Sequence, residues 1–279
     1  MTLNDAIVAA TAQLQNSSPT PALDAQVLLA HSLGQNRTYI IAHARDTLDA
    51  DTKNRFEQLL AQRVEGTPVA YLTGEQEFWS LPIQVTGDTL IPRPETELLV
   101  ELALEKIPDK KSVSVADIGT GSGAIALAIA SERKNIRVVA SDISPAALRV
   151  ARGNAESLQL TNTEFVEGPL FDPFGDKKFD LVVSNPPYIP ESDPHLNEGD
   201  VRFEPRSSLA AGVDGLDVIR RICEDAGRHL LPGGWLMIEH GYDQEASVES
   251  LFRLAGFNEI ECYRDLAGQP RVTIGRYPL

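Results

Sequence analysis

From residue 112 to the end of the chain, apolar strand-like runs alternate with amphipathic helical runs, and no other feature limits the fold as much. "SVSVADIG" (112–119), "IRVVASDI" (136–143), "TEFVEG" (163–168), "FDLVVSN" (179–185) and "GGWLMIEHG" (233–241) read as strands. Between them lie "GAIALAIASER", a helix opened by Ser144 and Pro145, and a helix carrying Ile219, Ile222, Cys223, Ala226 and Leu230 at helical spacing. Residues 191–214 read as a long loop, and "EIECYRD" with "RVTIGRY" as a closing antiparallel pair around "LAGQP". Such alternation predicts an α/β fold: a mostly parallel sheet covered on both faces, with ligands at the carboxyl ends of its strands.

The first 74 residues follow a different pattern. Thr2 and Asp5 have capping-box spacing, and Ile7, Ala10 and Leu14 share a helical face. A second helix has Thr20 as cap, Pro21 in its first turn and Gly34 as its stop. Phe56, Leu59, Leu60 and Arg63 lie on one face of a third, which ends at Gly66. The segment holds helical faces and no cluster of reactive side chains, so a small helical domain over 1–74, used for docking, is predicted. Residues 75–93 combine β-formers with Pro and Gly and read as a hairpin-like connector, which opens a second domain over 75–279.

With 40 acidic against 25 basic residues and a formal charge of −15, nucleic acid is a poor principal partner and a basic protein surface a better one. No apolar run reaches the roughly 18 residues of a membrane span, and the opening residues lack the pattern of a signal peptide. Two distant cysteines build neither a disulfide framework nor a metal site. A cytoplasmic, monomeric, metal-free protein is the expectation.

"VADIGTGSGAIALAIA" places Gly119, Gly121 and Gly123 at alternate positions between a strand and a helix, with Thr120 and Ser122 between them. Glycine lets backbone turn tightly and approach a ligand. The spacing is G-x-G-x-G rather than the pyrophosphate-binding G-x-G-x-x-G, and Asp117 precedes it, which suits a cationic ligand better than a phosphate. Asp142, 19 residues after Gly123, ends the next strand where a carboxylate can accept both hydroxyls of a ribose. A ribose with a cationic, amino-acid-like end describes S-adenosylmethionine. The competing reading is a glycine-rich turn with incidental acids.

The strand "FDLVVSN" stops in "NPPYIP". Neither Pro186 nor Pro187 can donate to a sheet, so what remains is the Asn185 amide, backbone carbonyls and the Tyr188 ring. That set can hold a flat amide-like or amine-like group. In this order, the glycine loop, Asp142 and "NPPY" resemble the class I methyltransferases of planar nitrogens, whose fold is Rossmann-like. A longer resemblance covers almost the whole chain. "RVEGTPVAYLTGEQEFWSLPIQVTGDTLIPRPETELLVE", "NPPYIP", "DVRFEPRSSLAAGVDGLDVIRRI" and "DLAGQPRVTIGRY" are similar to the release factor glutamine methyltransferases.

That resemblance implies transfer of a methyl group to the N5 amide of the glutamine in the Gly-Gly-Gln loop of peptide chain release factors. It implies S-adenosylmethionine held by Asp117, the loop from Gly119 to Gly123, Asp142, Leu170 and Asn185. Asn185, Pro186, Pro187 and Tyr188 would hold the glutamine, with Asn185, Pro186 and Tyr188 catalytic. Many relatives carry an acidic residue where this chain has Pro169, so backbone carbonyls or Asp172 are left to meet the adenine. Adenine-N6 methylation of DNA or ribosomal RNA is the alternative, disfavoured by the acidic charge.

Overall fold

The computed structural model describes residues 1–108 and 112–279. They divide into two compact units, Met1–Glu75 with Asn197–Phe203, and Gln76–Leu196 with Glu204–Leu279.

The first unit consists of helices α1 (Leu3–Leu14), α2 (Pro21–Leu33), α3 (Arg37–Ala42), α4 (Ala50–Val64) and α5 (Val69–Thr73). The capping box forms at α1: the Thr2 hydroxyl accepts from Asp5 N, and the Asp5 carboxylate accepts from Thr2 N. Gly34 ends α2 in the left-handed conformation that a Cβ would disfavour. Leu3, Ala6, Ala10 and Leu14 of α1 pack with Leu28 and Leu29 of α2 and with Phe56 and Leu60 of α4.

In the second unit, β1 (Glu75–Phe78) and β2 (Leu81–Gln84) form the predicted hairpin, turning on Trp79 and Ser80 at φ 52° and 58°. Two successive positive φ values match the twist of a tight hairpin, and Trp79 N is held by the Glu97 carboxylate at 2.7 Å. The remaining elements are α6 (Glu97–Lys106), β3 (Ser114–Ile118), α7 (Ala124–Glu132), β4 (Arg137–Asp142), α8 (Pro145–Ser157), β5 (Thr163–Glu167), β6 (Phe179–Ser184), α9 (Asp217–His229), β7 (Leu230–Glu239), α10 (Glu245–Leu254), β8 (Asn258–Arg264) and β9 (Pro270–Arg276).

The main sheet runs β5-β4-β3-β6-β7-β9-β8. Its pairs are parallel from β5 to β7 and antiparallel from β7 through β9 to β8, as the sequence pattern predicts. Strand order reverses between β3 and β6, and such a switch point opens a crevice at the carboxyl ends. β3, β4 and β6 are almost wholly buried, the property expected of strands with helices on both faces.

Two local expectations change. Thr20 stands at the cap position of α2, but its hydroxyl bonds the Asp24 side chain at 2.9 Å and makes no cap bond to the helix. Arg63, on the same face as Phe56 and Leu60, is 2% exposed. Its guanidinium donates to Asp24 and to Asp200, each at 2.7 Å, and to the carbonyls of Gly66 and Thr67. Asp24 also accepts from Ser18 and Thr20. The pair with Asp200 ties residues 197–203 into the helical unit, as does the bond from Arg202 to the Glu65 carbonyl.

Removing one member of a buried ion pair leaves the other charged and unpaired, at a cost of about 3–5 kcal/mol. Arg63→Ala is therefore expected to destabilise the helical unit by that amount. Urea unfolding followed by circular dichroism checks it, and a loss below about 1 kcal/mol would contradict the account.

Candidate active site

Four strands stop level with one another at the switch point. Ile118 of β3 is in register with Ser141 of β4 and Ser184 of β6, and Ser184 with Ile238 of β7. The next residue along each strand is thereby aligned: Gly119, Asp142, Asn185 and Glu239. Hydroxyls lock the ends together, with Ser184 donating to the Ile118 carbonyl at 2.7 Å and Ser141 to the Leu170 carbonyl at 3.0 Å.

The glycine loop is fixed from two sides. Gly119 N and Thr120 N both donate to the Ser141 carbonyl at 2.9 Å. Asp142 accepts from Gly121 N and Ser144 N, each at 2.8 Å. Gly119 and Gly121 have positive φ, and a Cβ on either would meet no protein atom within 4 Å. Gly123, also at positive φ (85°), has a packing role as well. Its Cβ would sit 3.1–3.2 Å from Leu127 and Ala151, so glycine there permits close packing of α7 against α8. Fully buried Asn154 donates to the Ser122 carbonyl and exchanges hydrogen bonds with the Gln84 backbone, which pins the loop to α8 and β2. No sequence motif marked Asn154; a polar residue on the apolar stripe of α8 was its one signal.

A cavity of about 450 Å³ opens over these strand ends. Of the sequence-predicted residues, Gly119, Thr120, Gly121, Ser122, Asp142, Leu170, Asn185, Pro186 and Pro187 line it, while Asp117, Gly123 and Tyr188 do not. Arg93 also lines it, as do Thr96 and Arg221, which no motif singled out. Pro169 and Leu170 are on the wall and Asp172 is not. Arg93 is paired with the buried Glu204, which also accepts from Ile91 N, so both are tied to the connector after β2.

Asp117 lies behind the loop and has no solvent exposure. Thr120 donates to one carboxylate oxygen at 2.6 Å, and the other completes no hydrogen bond of good geometry. Burial pushes its pKa up to about 7, with the Thr120 hydroxyl and the Ala126 backbone N–H opposing the shift and nearby Asp142 adding to it. A buried acid with one under-satisfied oxygen, open space over two glycines and a carboxylate at the β4 end together suit a cationic nucleoside such as S-adenosylmethionine.

Asn185 Nδ2 donates to Thr96 Oγ1 at 3.1 Å, which leaves the side-chain oxygen as the free acceptor of the pair. Tyr188 is held at its hydroxyl by Glu239 and at its carbonyl by Gln244 Nε2, 3.0 Å away. Among the described residues, no His, Lys or Cys lines the cavity, and no group of His, Cys, Asp and Glu could hold a metal ion. The site offers hydrogen-bond acceptors and a shaped, mainly apolar wall.

Between its ordinary 3.8 and about 7, the folded chain keeps a proton on Asp117 that the unfolded chain has released. The folded state is favoured by this group at low pH, and that contribution is lost as the pH rises through the window. An asparagine does not titrate. Asp117→Asn should therefore stabilise the ligand-free protein at pH 8 by on the order of 1–4 kcal/mol, and by less at pH 5. Urea denaturation at the two pH values measures the difference, and a gain that does not grow with pH would refute this origin.

Residues 5–74 match the family described as PrmC N-terminal domain, and residues 95–198 that described as methyltransferase small domain. The chain is 50% identical to the release factor glutamine methyltransferase of Vibrio cholerae, with 99% of this chain and 97% of that protein covered. It is 44% identical to the Escherichia coli K12 protein of the same name, with 96% of each covered. A solved methyltransferase from Pyrococcus furiosus shares the fold, with a TM-score of 0.54 at 19% identity over 71% of this chain and 90% of that one. The nearly full-length relatives favour the glutamine reading over the adenine-N6 alternative. By sequence over nearly its whole length, the chain belongs to the release factor glutamine methyltransferases.

Proposed function

We propose that this chain methylates the side-chain amide nitrogen of the glutamine in the Gly-Gly-Gln loop of peptide chain release factors, in the cytoplasm and as a monomer. One observation carries the reading: Asn185 and the glycine loop, on adjacent strands in register, line one cavity. Bound there, S-adenosylmethionine supplies an electrophilic methyl group on a sulfonium. Asp142 is placed to accept ribose hydroxyls, and Gly119 and Gly121 to let backbone approach the ligand. Leu170 and its neighbours offer the adenine an apolar wall.

An amide nitrogen is a poor nucleophile because its lone pair is delocalised into the carbonyl. Removing its proton first would require a strong base, and the cavity wall presents none. Asn185 Oδ1 and the Pro186 carbonyl instead accept the two protons of the glutamine NH₂, fix its plane and favour the pyramidal nitrogen that develops during transfer. Tyr188 does not line the cavity, so its part is to hold the loop, through its hydroxyl at Glu239 and its carbonyl at Gln244. Catalysis is then mainly positioning nitrogen and methyl in line, and the proton leaves once the nitrogen is alkylated and strongly acidic. The helical unit has no convergent reactive groups, which supports a docking role for residues 1–74 toward the intact factor.

Asp142→Ala should weaken S-adenosylmethionine binding about 10- to 100-fold, the weight of a charge-assisted hydrogen bond. Calorimetric titration giving the wild-type affinity would remove Asp142 from the site. Radiolabelled methyl transfer should appear on intact release factor, less on a peptide of its Gly-Gly-Gln loop, and not on duplex DNA. Asn185→Ala should lower the turnover number roughly 10²–10³-fold with little change in cofactor affinity. Equal rates on factor and peptide would end the docking role, and an Ala variant within threefold of wild type would end the role of Asn185.

A further inference from the structure

Arg221 is a cation on the wall of a cavity that suits a cationic ligand, and the reaction as described gives it no part. It lies in α9 and is exposed, and among the described residues none forms an ion pair or a hydrogen bond with its side chain. The two arginines closest to it in sequence or in the cavity wall are engaged: Arg220 pairs with Asp214 and Asp217, and Arg93 with Glu204. A guanidinium that lines a cavity without a carboxylate beside it is open to a ligand.

Its neighbours indicate which part of the ligand it meets. Val218 and Ile222, three residues before it and one after, line the same cavity, so all three lie on one side of α9. Ile222 belongs to the apolar cluster against which Val218 and Leu170 are packed. Arg221 therefore goes with the Leu170 wall, to which the adenine is assigned. That wall offers a base little else that is polar. Residue 169 is proline, and Asp172 is off the wall. The Pro169 carbonyl already accepts from Asp172 N at 3.1 Å, and the Leu170 carbonyl from the Ser141 hydroxyl at 3.0 Å.

Charge narrows the choice further. A guanidinium beside the sulfonium or the amino group of S-adenosylmethionine would repel it. Adenine is neutral, has ring nitrogens that accept hydrogen bonds, and presents an electron-rich face on which the planar guanidinium stacks. The methionine carboxylate is the competing partner. The methyl must reach an amide held at Asn185, however, which keeps the methionine end at β3 and β6, away from the Leu170 wall. We propose that Arg221 is a cofactor-specificity residue, whose guanidinium lies against the adenine and recognises the base by its ring face and acceptor nitrogens rather than by its amino group. This inference rests on the reading that the cavity binds S-adenosylmethionine with its adenine beside Leu170.

Arg221→Met keeps an apolar stem and removes the charge at an exposed position, and Arg221→Gln does so with a polar end. An unchanged melting temperature of each ligand-free variant checks the fold. Calorimetric titration of the full chain with S-adenosylhomocysteine should show affinity reduced about 5- to 30-fold in both, the range of a cation–π contact. Methylthioadenosine has the adenosine and lacks the amino-acid end. It should compete for the wild-type site and lose affinity by the same factor in the variants. A loss confined to S-adenosylhomocysteine would assign Arg221 to the carboxylate and overturn the proposal. Wild-type affinity of the variants for both ligands would also overturn it, whether or not the KM for release factor rises. So would methylthioadenosine that fails to compete with S-adenosylhomocysteine on the wild-type protein. Wild-type protein that binds no S-adenosylhomocysteine would remove the parent reading and this proposal with it.

Discussion

The register that brings β4, β3, β6 and β7 to a common stopping level is the constraint on which the site depends. A one-residue slip in a pleated strand turns every side chain to the opposite face. At a strand end, it would also move the next residue by about 3.3 Å. Gly119, Asp142, Asn185 and Glu239 form one rim because Ile118, Ser141, Ser184 and Ile238 are paired across the sheet. Burial of these strands under helices specifies the register, so the hydrophobic core and the chemistry share one cause. The Ser184 and Ser141 hydroxyls then finish the alignment where the ladder itself ends.

Preorganisation extends outward from this rim. Asn154 carries no chemistry, yet its three hydrogen bonds to the Ser122 and Gln84 backbones join the glycine loop, α8 and the hairpin. Gln244 at the start of α10 holds the Tyr188 and Asp214 carbonyls. Pro186 and Pro187 lack backbone donors, so this loop has fewer bonds of its own with which to hold a shape. Side chains from β7 and α10 replace them. The rigidity of an acceptor site for a neutral amide has to come from such fixed contacts, since there is no charge on the substrate to draw it into place.

Much of the architecture was legible because it rests on periodicity and on residues with narrow conformational uses. The strand-helix alternation, the Thr2–Asp5 capping box and the Gly34 stop all reappear in the structure. The glycine loop was legible as a loop but not in its division of labour: Gly119 and Gly121 face open space, whereas Gly123 is needed for packing. Arg63 was read as part of a helical face without its burial, because a charged residue at an apolar position gives no hint of partners 39 and 137 positions away. The same holds for Asn154, whose bonds reach Gln84 and Ser122 on elements distant in sequence that no local spacing encodes.

Two buried carboxylates, Asp117 and Glu239, lie at the carboxyl ends of β3 and β7 with pKa values pushed to about 7. Each weakens the folded state as pH rises toward neutrality, so neither is retained for stability. Their surroundings differ in a way that separates their uses. Asp117 has the Thr120 hydroxyl and the Ala126 backbone N–H as donors and feels the charge of another carboxylate, Asp142, so a cation in the adjoining cavity would relieve it directly. Glu239 has Arg271 to offset its charge and accepts from the Tyr188 hydroxyl at 3.4 Å, so a cation would relieve it far less. One acid thus favours a charged ligand, while the other is served by the protein's own groups, although burial shifts both in the same direction and to a similar extent.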